Sequence, residues 1–148
     1  MTDIQELLKR YELFIGFTDD MLSKIIHLCQ VRVYEPDSII IEQQSSPINF
    51  YLIKDGTVDV ITKLNVDGRI REMVIVTLGA GQSFGEMGLV DSGLRSATVK
   101  ASALSELVVV NSREFLDLCE KDTDIGYRVM RNIAADLSFK IRYQNLIY

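Results

Sequence analysis

The sequence has few of the residues that metal and redox centres require. It contains two cysteines, Cys29 and Cys119, and a single histidine in 148 residues. Two cysteines cannot hold a structural zinc ion or an iron–sulfur cluster, each of which needs about four ligands. Both cysteines lie in apolar stretches that we predict to be helical, so we interpret them as buried structural thiols in a reducing compartment.

Long apolar runs and a basic charge balance are also missing. The longest apolar runs, such as residues 39–41 and 107–110, are far shorter than the roughly 20 residues that cross a bilayer. The N-terminus, MTDIQELLKRYELF, is charged and has no signal-peptide core. The net charge of −5 provides no general basic footprint for nucleic acid. We therefore expect a cytoplasmic protein with no membrane or nucleic-acid partner, in which a local arrangement of donors holds any bound anion.

The apolar pattern predicts a mainly β chain with helices at both ends. Residues 1–30 have helical periodicity, and Thr18 is typical of the N-cap of a second helix. From residue 31 to 110 the period changes to two. The Asp-Gly pairs at 55–56 and 67–68 each separate two β-rich runs, which predicts two hairpins. About eight short strands joined by tight turns predict an α+β fold built on an eight-stranded β-roll or jelly roll.

Helical periodicity returns at Asn111, which can cap the segment SREFLDLCEK, with Glu114 completing a capping box. Asp122 or Thr123 then begins a longer helix, predicted to run to the last residue. A seam with 4-3-4 spacing follows this helix and is a candidate surface for packing on the roll or for forming a homodimer through residues 123–148. Its members are Met130, Ala134, Leu137 and Ile141, with Gln144 and Tyr148 as weaker continuations. We expect one domain, made of helices 1–30, roll 31–110 and helices 111–148, with no DNA-binding domain.

The stretch FGEMGLVDSGLRSATVKA, residues 84–101, combines glycines with an isolated acid and base. Ser83 can cap a short helix that begins near Gly85, whose free amides would attract an anion. Arg95 can make paired, charge-assisted bonds with a phosphate. Glu86 would repel a phosphate unless it accepts a hydrogen bond, and a ribose 2′-hydroxyl supplies one. This pattern favours a sugar phosphate; the alternative is a surface ion pair between Glu86 and Arg95, worth ~0–1 kcal/mol.

The segments FGEMGL and RSATV resemble the phosphate-binding cassette of the cyclic nucleotide-binding domain family, of the catabolite activator and protein kinase A regulatory-subunit type. The segments YEPDSII and FYLIKDGTVDVI resemble its first roll strands and central hairpin, so the resemblance covers essentially the whole chain. It implies that the Gly85 amide and the Glu86 carboxylate bind the ribose 2′-hydroxyl. It also implies that Arg95 binds the exocyclic phosphate oxygens, with Ser96 and the Ala97 amide.

Further residues are candidates for contact with the base or sugar, and core packing is the competing interpretation for the three aliphatic ones. These candidates are Val74, Val76, Phe84, Met87, Leu89 and Arg142. Two departures from the family pattern occur. The segment EQQSSPINF replaces a glycine-rich turn, and Lys140 and Ile141 occupy the place of a Thr-Ser pair that reads adenine. Arg142 or Tyr143 could then form a lid over the base, with a solvated face as the other interpretation of Arg142.

The resemblance implies a stand-alone sensor of a cyclic mononucleotide that signals to a downstream protein by repositioning its C-terminal helices at a hinge near residues 111–123. It favours cAMP as the ligand, with cGMP as the alternative, and it implies no cofactor and no catalysis. Two other interpretations stay open: a degenerate roll that acts as an interaction or dimerisation module, and the sensor fragment of a larger regulator. A metal-dependent cupin enzyme is disfavoured because such sites use several histidines and this chain has one.

Overall fold

A computed structural model describes residues 3–143 of the chain, which within this range form five α-helices, a 3₁₀ helix and eight strands. The α-helices are α1 (Ile4–Leu8), α2 (Asp19–Ile26), α3 (Gly88–Asp91), α4 (Ser112–Lys121) and α5 (Thr123–Tyr143), and the 3₁₀ helix is Glu12–Phe14. The strands are β1 (Cys29–Tyr34), β2 (Ile39–Ile41), β3 (Asn49–Asp55), β4 (Thr57–Val66), β5 (Arg69–Gly79), β6 (Ser83–Phe84), β7 (Thr98–Ala101) and β8 (Ser105–Asn111). In the described range, no helix has both the length and the apolar composition needed to span a membrane.

The strands form two four-stranded antiparallel sheets, in the orders β1-β8-β3-β6 and β2-β7-β4-β5. Helices α1 and α2 and the 3₁₀ helix precede the sheets, and α4 and α5 follow them. The predicted fold class, an eight-stranded β-roll with N-terminal helices and a long final helix, is confirmed.

The two Asp-Gly turns have different roles. Asp67 and Gly68 have φ of 52° and 78° and join β4 to β5, whose end residues pair as Val66 with Arg69. Two consecutive positive φ angles are typical of a type I′ hairpin turn, so this prediction is confirmed. The hairpin predicted at Asp55-Gly56 is wrong, because β3 pairs with β8 and β6, whereas β4 pairs with β5 and β7.

At Gly56 the chain therefore crosses from one sheet to the other. Its φ is +95°, and a Cβ there would lie only 2.5 Å from the Leu104 carbonyl oxygen. Glycine is required at this position by a close backbone approach and not by a hairpin turn. The Asp-Gly pair does mark a turn between two strands, but it carries no information on which strands pair.

Two predicted helix caps and the predicted start of α5 are confirmed by hydrogen bonds. Thr18 Oγ1 accepts from the Met21 amide at 3.2 Å, and Asn111 Oδ1 accepts from the Glu114 amide at 3.0 Å. Asp122 Oδ1 accepts from the Ile125 amide at 3.3 Å. The cap predicted at Ser83 is wrong, since Ser83 lies in β6 and α3 begins only at Gly88, after Met87, which forms no side-chain cap. A short strand within the glycine-rich loop pairs with β3 and delays the helix.

Buried apolar residues form two clusters. A helical cluster packs the N-terminal helices, α4 and α5 against one side of the roll, and a roll cluster fills the space between the sheets. Cys119 is buried in the helical cluster, whereas Cys29, which we predicted to be helical, lies in β1. Burial raises the pKa of each thiol to about 11, so both are poor nucleophiles at neutral pH.

The seam predicted along α5 is divided between the protein interior and solvent. Its fully buried face is formed by Ile125, Val129 and Ile133 instead. Of the predicted seam residues, Met130 and Leu137 pack partly against the helical cluster, whereas Ala134 and Ile141 are exposed. Gln144 and Tyr148 lie outside the described residues. Part of the seam therefore packs against the domain itself, and only its exposed residues, Ala134 and Ile141, could contact a partner or a second copy of the chain.

Candidate functional site

Arg95 is held beneath the loop between β6 and α3. Its side chain is buried, and Nη1 donates to the Gly85 carbonyl oxygen at 2.7 Å while Nη2 donates to the Asn49 carbonyl oxygen. Its backbone amide donates to the Ser45 carbonyl at 2.8 Å, and its own carbonyl accepts from the Gln44 amide at 2.7 Å. Burial lowers the pKa of the guanidinium, which nevertheless stays protonated in proteins. The structure thus fixes a cation inside the loop at both its backbone and its side chain.

Gly85 allows the loop to close over this cation. Its φ is +83°, and a Cβ there would lie 3.1 Å from Arg95 Nη1 and 3.3 Å from the Asn49 carbonyl oxygen. A larger residue would therefore combine backbone strain with displacement of the guanidinium. The glycine next to the acid in the sequence is thus explained by the buried arginine.

Glu86 is half-buried, and its Oε2 atom is shielded from solvent and has no hydrogen-bond partner among the described residues. Burial raises the pKa of this carboxyl, with Asp136 adding to the rise and the positive charges of Lys140 and Arg95 opposing it. Glu86 and Arg95 form no ion pair in the described part of the chain. The alternative of a surface ion pair is therefore wrong. A shielded carboxylate oxygen without a donor is costly in free energy, and no described group of the protein supplies that donor.

An open cleft of about 1070 Å³ lies in front of Glu86, between the roll and α5. Small-molecule sites commonly have roughly 300–1,000 Å³. Its roll side is lined by Val60, Ile75, Val76, Leu78, Phe84 and Glu86. Its helical side is lined by Glu12, Ile15, Asn132, Asp136, Phe139 and Lys140. An apolar wall faced by charged and aromatic groups suits an amphipathic ligand with a ring and a polar part.

Four of the residues predicted from the sequence line this cleft: Val76, Phe84, Gly85 and Glu86. Met87 lines a smaller adjoining pocket together with Glu86. Arg95 lies directly beneath Gly85 and is followed by Ser96, which is exposed, and Ala97, which is half-buried. The fold thus brings the acid, the base and their glycine together as the sequence pattern indicated.

Besides Met87, Arg95, Ser96 and Ala97, three further predicted residues do not line the cleft. Leu89 is buried in the helical cluster, so packing in the core accounts for it. Val74 is exposed on β5, where a bulge at Ile75 in the pairing with β4 separates it from Val76. Arg142 is exposed on the last described turn of α5. Here the solvated-face interpretation of Arg142 fits the structure better than a lid.

Helix α5 also places on the cleft Asn132, Asp136 and Phe139, which were not predicted from the sequence, and Lys140, which was predicted only as a replacement within the adenine-reading pair. Lys140 Nζ lies 2.9 Å from Asp136 Oδ2, and the Phe139 ring packs against the Tyr143 ring with centroids 4.6 Å apart. Their spacing of 4, 3 and 1 places them on one helical face. This polar and aromatic stripe was visible in the sequence, but only the fold shows that it faces the cleft.

The family model of the cyclic nucleotide-binding domain matches residues 31–122. This range begins in β1 and ends just before α5, and it contains Gly85, Glu86 and Arg95.

Two curated relatives are similar to most of the chain. The cGMP-dependent 3′,5′-cGMP phosphodiesterase A of Dictyostelium discoideum is 32% identical over 82% of this chain and 13% of its own length. The cAMP-activated global transcriptional regulator CRP of Haemophilus influenzae is 29% identical over 84% of this chain and 55% of its own length. The chain thus spans about half, or far less, of the relatives it matches. Among solved structures, the Thermus thermophilus catabolite activator protein aligns with a TM-score of 0.74 at 29% identity, over 91% of this chain and 60% of its own.

Proposed function

Because this chain belongs to the cyclic nucleotide-binding domain family, we propose that it is a sensor that binds a cyclic mononucleotide in the cleft and signals by repositioning its C-terminal helices. The observation that carries the proposal is that a shielded, unpartnered Glu86 Oε2 and a buried Arg95 cation, nine residues apart in the sequence, lie in the same loop region. A nucleotide offers both complementary groups, a hydroxyl that donates and a phosphate that accepts.

The ribose phosphate would sit against the loop between β6 and β7. Glu86 accepts from the ribose 2′-hydroxyl, and the Gly85 amide adds a donor. A guanidinium has five N–H donors, of which Arg95 uses two in the contacts to Gly85 and Asn49. The remaining donors, with Ser96 and the Ala97 amide, are available for the exocyclic phosphate oxygens.

The base would lie between the apolar wall at Val76 and the helix face at Phe139. Both residues line the cleft, and Phe139 offers an aromatic ring for stacking. Lys140 lines the cleft as well and can donate to an acceptor on the base, so we place base recognition at Phe139 and Lys140 in preference to Arg142. We propose cAMP as the ligand, with cGMP as the alternative, in a binding domain that performs no catalysis.

An interaction module is the second candidate function, and exposed apolar residues favour it. The β4–β5 hairpin exposes Ile70, Met73 and Ile75, and α5 exposes Tyr143 near its end. Exposed apolar groups of this extent mark contact surfaces for other proteins or for a second copy of the chain. Under the sensor proposal, the same surfaces are candidates for the homodimer contact and for the downstream partner.

Calorimetric titration of the full chain, stripped of any co-purified nucleotide, tests the sensor proposal. We expect micromolar or tighter binding of cAMP, or else of cGMP, and much weaker binding of 5′-AMP, which lacks the cyclic phosphate. Binding of neither cyclic nucleotide would overturn the proposal and favour the interaction module.

The raised pKa of Glu86 predicts a pH-dependent affinity. An ionised Glu86 is the better acceptor for a ribose hydroxyl, so affinity is expected to increase as the pH rises toward the raised pKa of the free protein, and binding below that pH should release a proton. Titrations in buffers of different ionisation enthalpy measure this release.

The stability of the ligand-free protein should depend on pH in the opposite direction, falling between the ordinary value of 4.5 and the raised pKa of Glu86. The unfolded chain loses the Glu86 proton at a lower pH than the folded chain, so this group lowers the free energy of unfolding as the pH rises. Glu86→Gln cannot ionise and serves as the control for both measurements. If the variant keeps the wild-type pH dependence of binding, another group titrates.

A further inference from the structure

The two halves of α5 are attached to the rest of the protein very differently. In the first half, residues 123–133, Ile125 and Val129 are fully buried and Ile133 nearly so. In the second half, residues 134–143, the exposed fractions are 61% for Phe139 and 73% for Tyr143. Only Asp136 and Leu137 are half-buried there. Apolar burial therefore holds the first half much more strongly than the second.

Asn132 lies at the border between these halves and ties α5 to the 3₁₀ helix. Its Nδ2 donates to the carbonyl oxygens of Leu13 and Ile15 at 2.9 Å and 3.0 Å. Carbonyl oxygens at the end of a helical turn have no further helical amide to accept from, so side chains or water donate hydrogen bonds to them. A single carboxamide thus satisfies two backbone acceptors of another element.

Two further contacts hold the first half from the same side. Asp122, which caps α5, pairs with Lys24 Nζ of α2 at 2.7 Å. The Arg128 side chain packs over Gly16, where a Cβ would come within 3.0 Å of Nη1. The segment 122–133 is therefore attached to the N-terminal region at three positions, Asp122, Arg128 and Asn132.

Beyond Asn132 these attachments end. Among residues 134–143, the ion pair between Lys140 and Asp136 is internal to the helix, and no side-chain hydrogen bond joins these residues to another described element. This weakly held half carries three of the groups that face the cleft, at Asp136, Phe139 and Lys140. The groups that would sense a ligand therefore stand on the part of the helix that is easiest to displace.

We propose that Asn132 is a positioning residue that fixes the first half of α5 to the 3₁₀ helix, so that a bound nucleotide moves only the second half, about a pivot at Ala134–Ala135. The nucleotide part of this inference rests on the function proposed above. A ligand shifts an equilibrium only through contacts that differ between the two states, and most of the α5 residues that line the cleft lie beyond Asn132. This places the hinge inside α5 and not in the segment 111–123, and it confines the repositioning proposed above for the C-terminal helices to the second half of α5.

Hydrogen exchange of the full-length chain, followed by mass spectrometry with and without saturating cAMP or cGMP, tests the pivot. In the wild type we expect the nucleotide to change protection in residues 134–143 and in the cleft strands and to leave residues 123–133 unchanged. An equal change in both halves would overturn the pivot. If neither nucleotide binds in calorimetry, the proposed function fails, and the attachment is then judged from the ligand-free comparison below.

Asn132→Ala, measured without nucleotide, tests the attachment itself, with Ser138→Ala on the exposed side of the same helix as its matched control. Loss of both hydrogen bonds should accelerate exchange in residues 123–133 by about tenfold or more, with little change in β3 and β8. The control should exchange like the wild type. Wild-type rates in Asn132→Ala, or an equal acceleration in β3 and β8, would show that Asn132 contributes nothing specific to the position of α5.

Discussion

Arg95→Ala is expected to lose cyclic-nucleotide affinity by roughly two to three decades or more, which corresponds to ~3–5 kcal/mol. The variant leaves a desolvated phosphate without its counter-charge. It also frees the carbonyl oxygens of Gly85 and Asn49, which accept from the guanidinium in the ligand-free protein. Calorimetric titration with cAMP and cGMP measures the loss.

The same contacts predict a smaller effect on folding. Two buried carbonyls lose a charge-assisted donor, so the free energy of unfolding should fall by about 1–3 kcal/mol, and the chain should stay folded. Arg95→Lys is the matched control, because a lysine keeps the charge but cannot reach both carbonyls with a rigid fork. We expect an affinity between those of the wild type and the alanine variant. Wild-type affinity in a folded Arg95→Ala protein would remove Arg95 from the phosphate site.

Phe115→Ala is expected to lower the free energy of unfolding by about 3–5 kcal/mol, the range for a large buried aromatic residue. Phe115 is fully buried in α4, and its ring packs edge-on against Phe50 of β3 at 5.1 Å and Phe14 of the 3₁₀ helix at 6.4 Å. It therefore connects the N-terminal helices, the roll and the C-terminal helices at one point. Urea denaturation measures the change as a lower midpoint at an unchanged slope.

Phe139→Ala provides the matched control for this loss. It removes the same side chain from a position that is 61% exposed in the ligand-free protein. We expect the free energy of unfolding to change by no more than about 0.5 kcal/mol. Similar losses in the two variants would contradict the assignment of Phe115 to the core and of Phe139 to the open cleft.

Local signals in the sequence predicted the local structure well. Thr18 and Asn111 form the predicted caps, and Asp122 lies at the predicted start of α5, because a cap depends on a side chain and an amide three residues apart. The type I′ turn at Asp67-Gly68 depends on two positive φ angles and is equally local. The turn at Asp55-Gly56 has the same sequence, but its role depends on strands β6 and β8, which lie far along the chain.

The sequence alone determined the β-roll with its flanking helices and pointed to Gly85, Glu86 and Arg95 as the candidate site, since periodicity and residue type are readable over short distances. Only the tertiary structure decided that Arg95 lies buried beneath Gly85 and does not pair with Glu86, and that Leu89 belongs to the core. It also decided that α5 turns Phe139 and Lys140 toward the cleft. The physical reason is that the direction in which a helix or loop faces is set by what packs against it, and those partners come from distant parts of the chain.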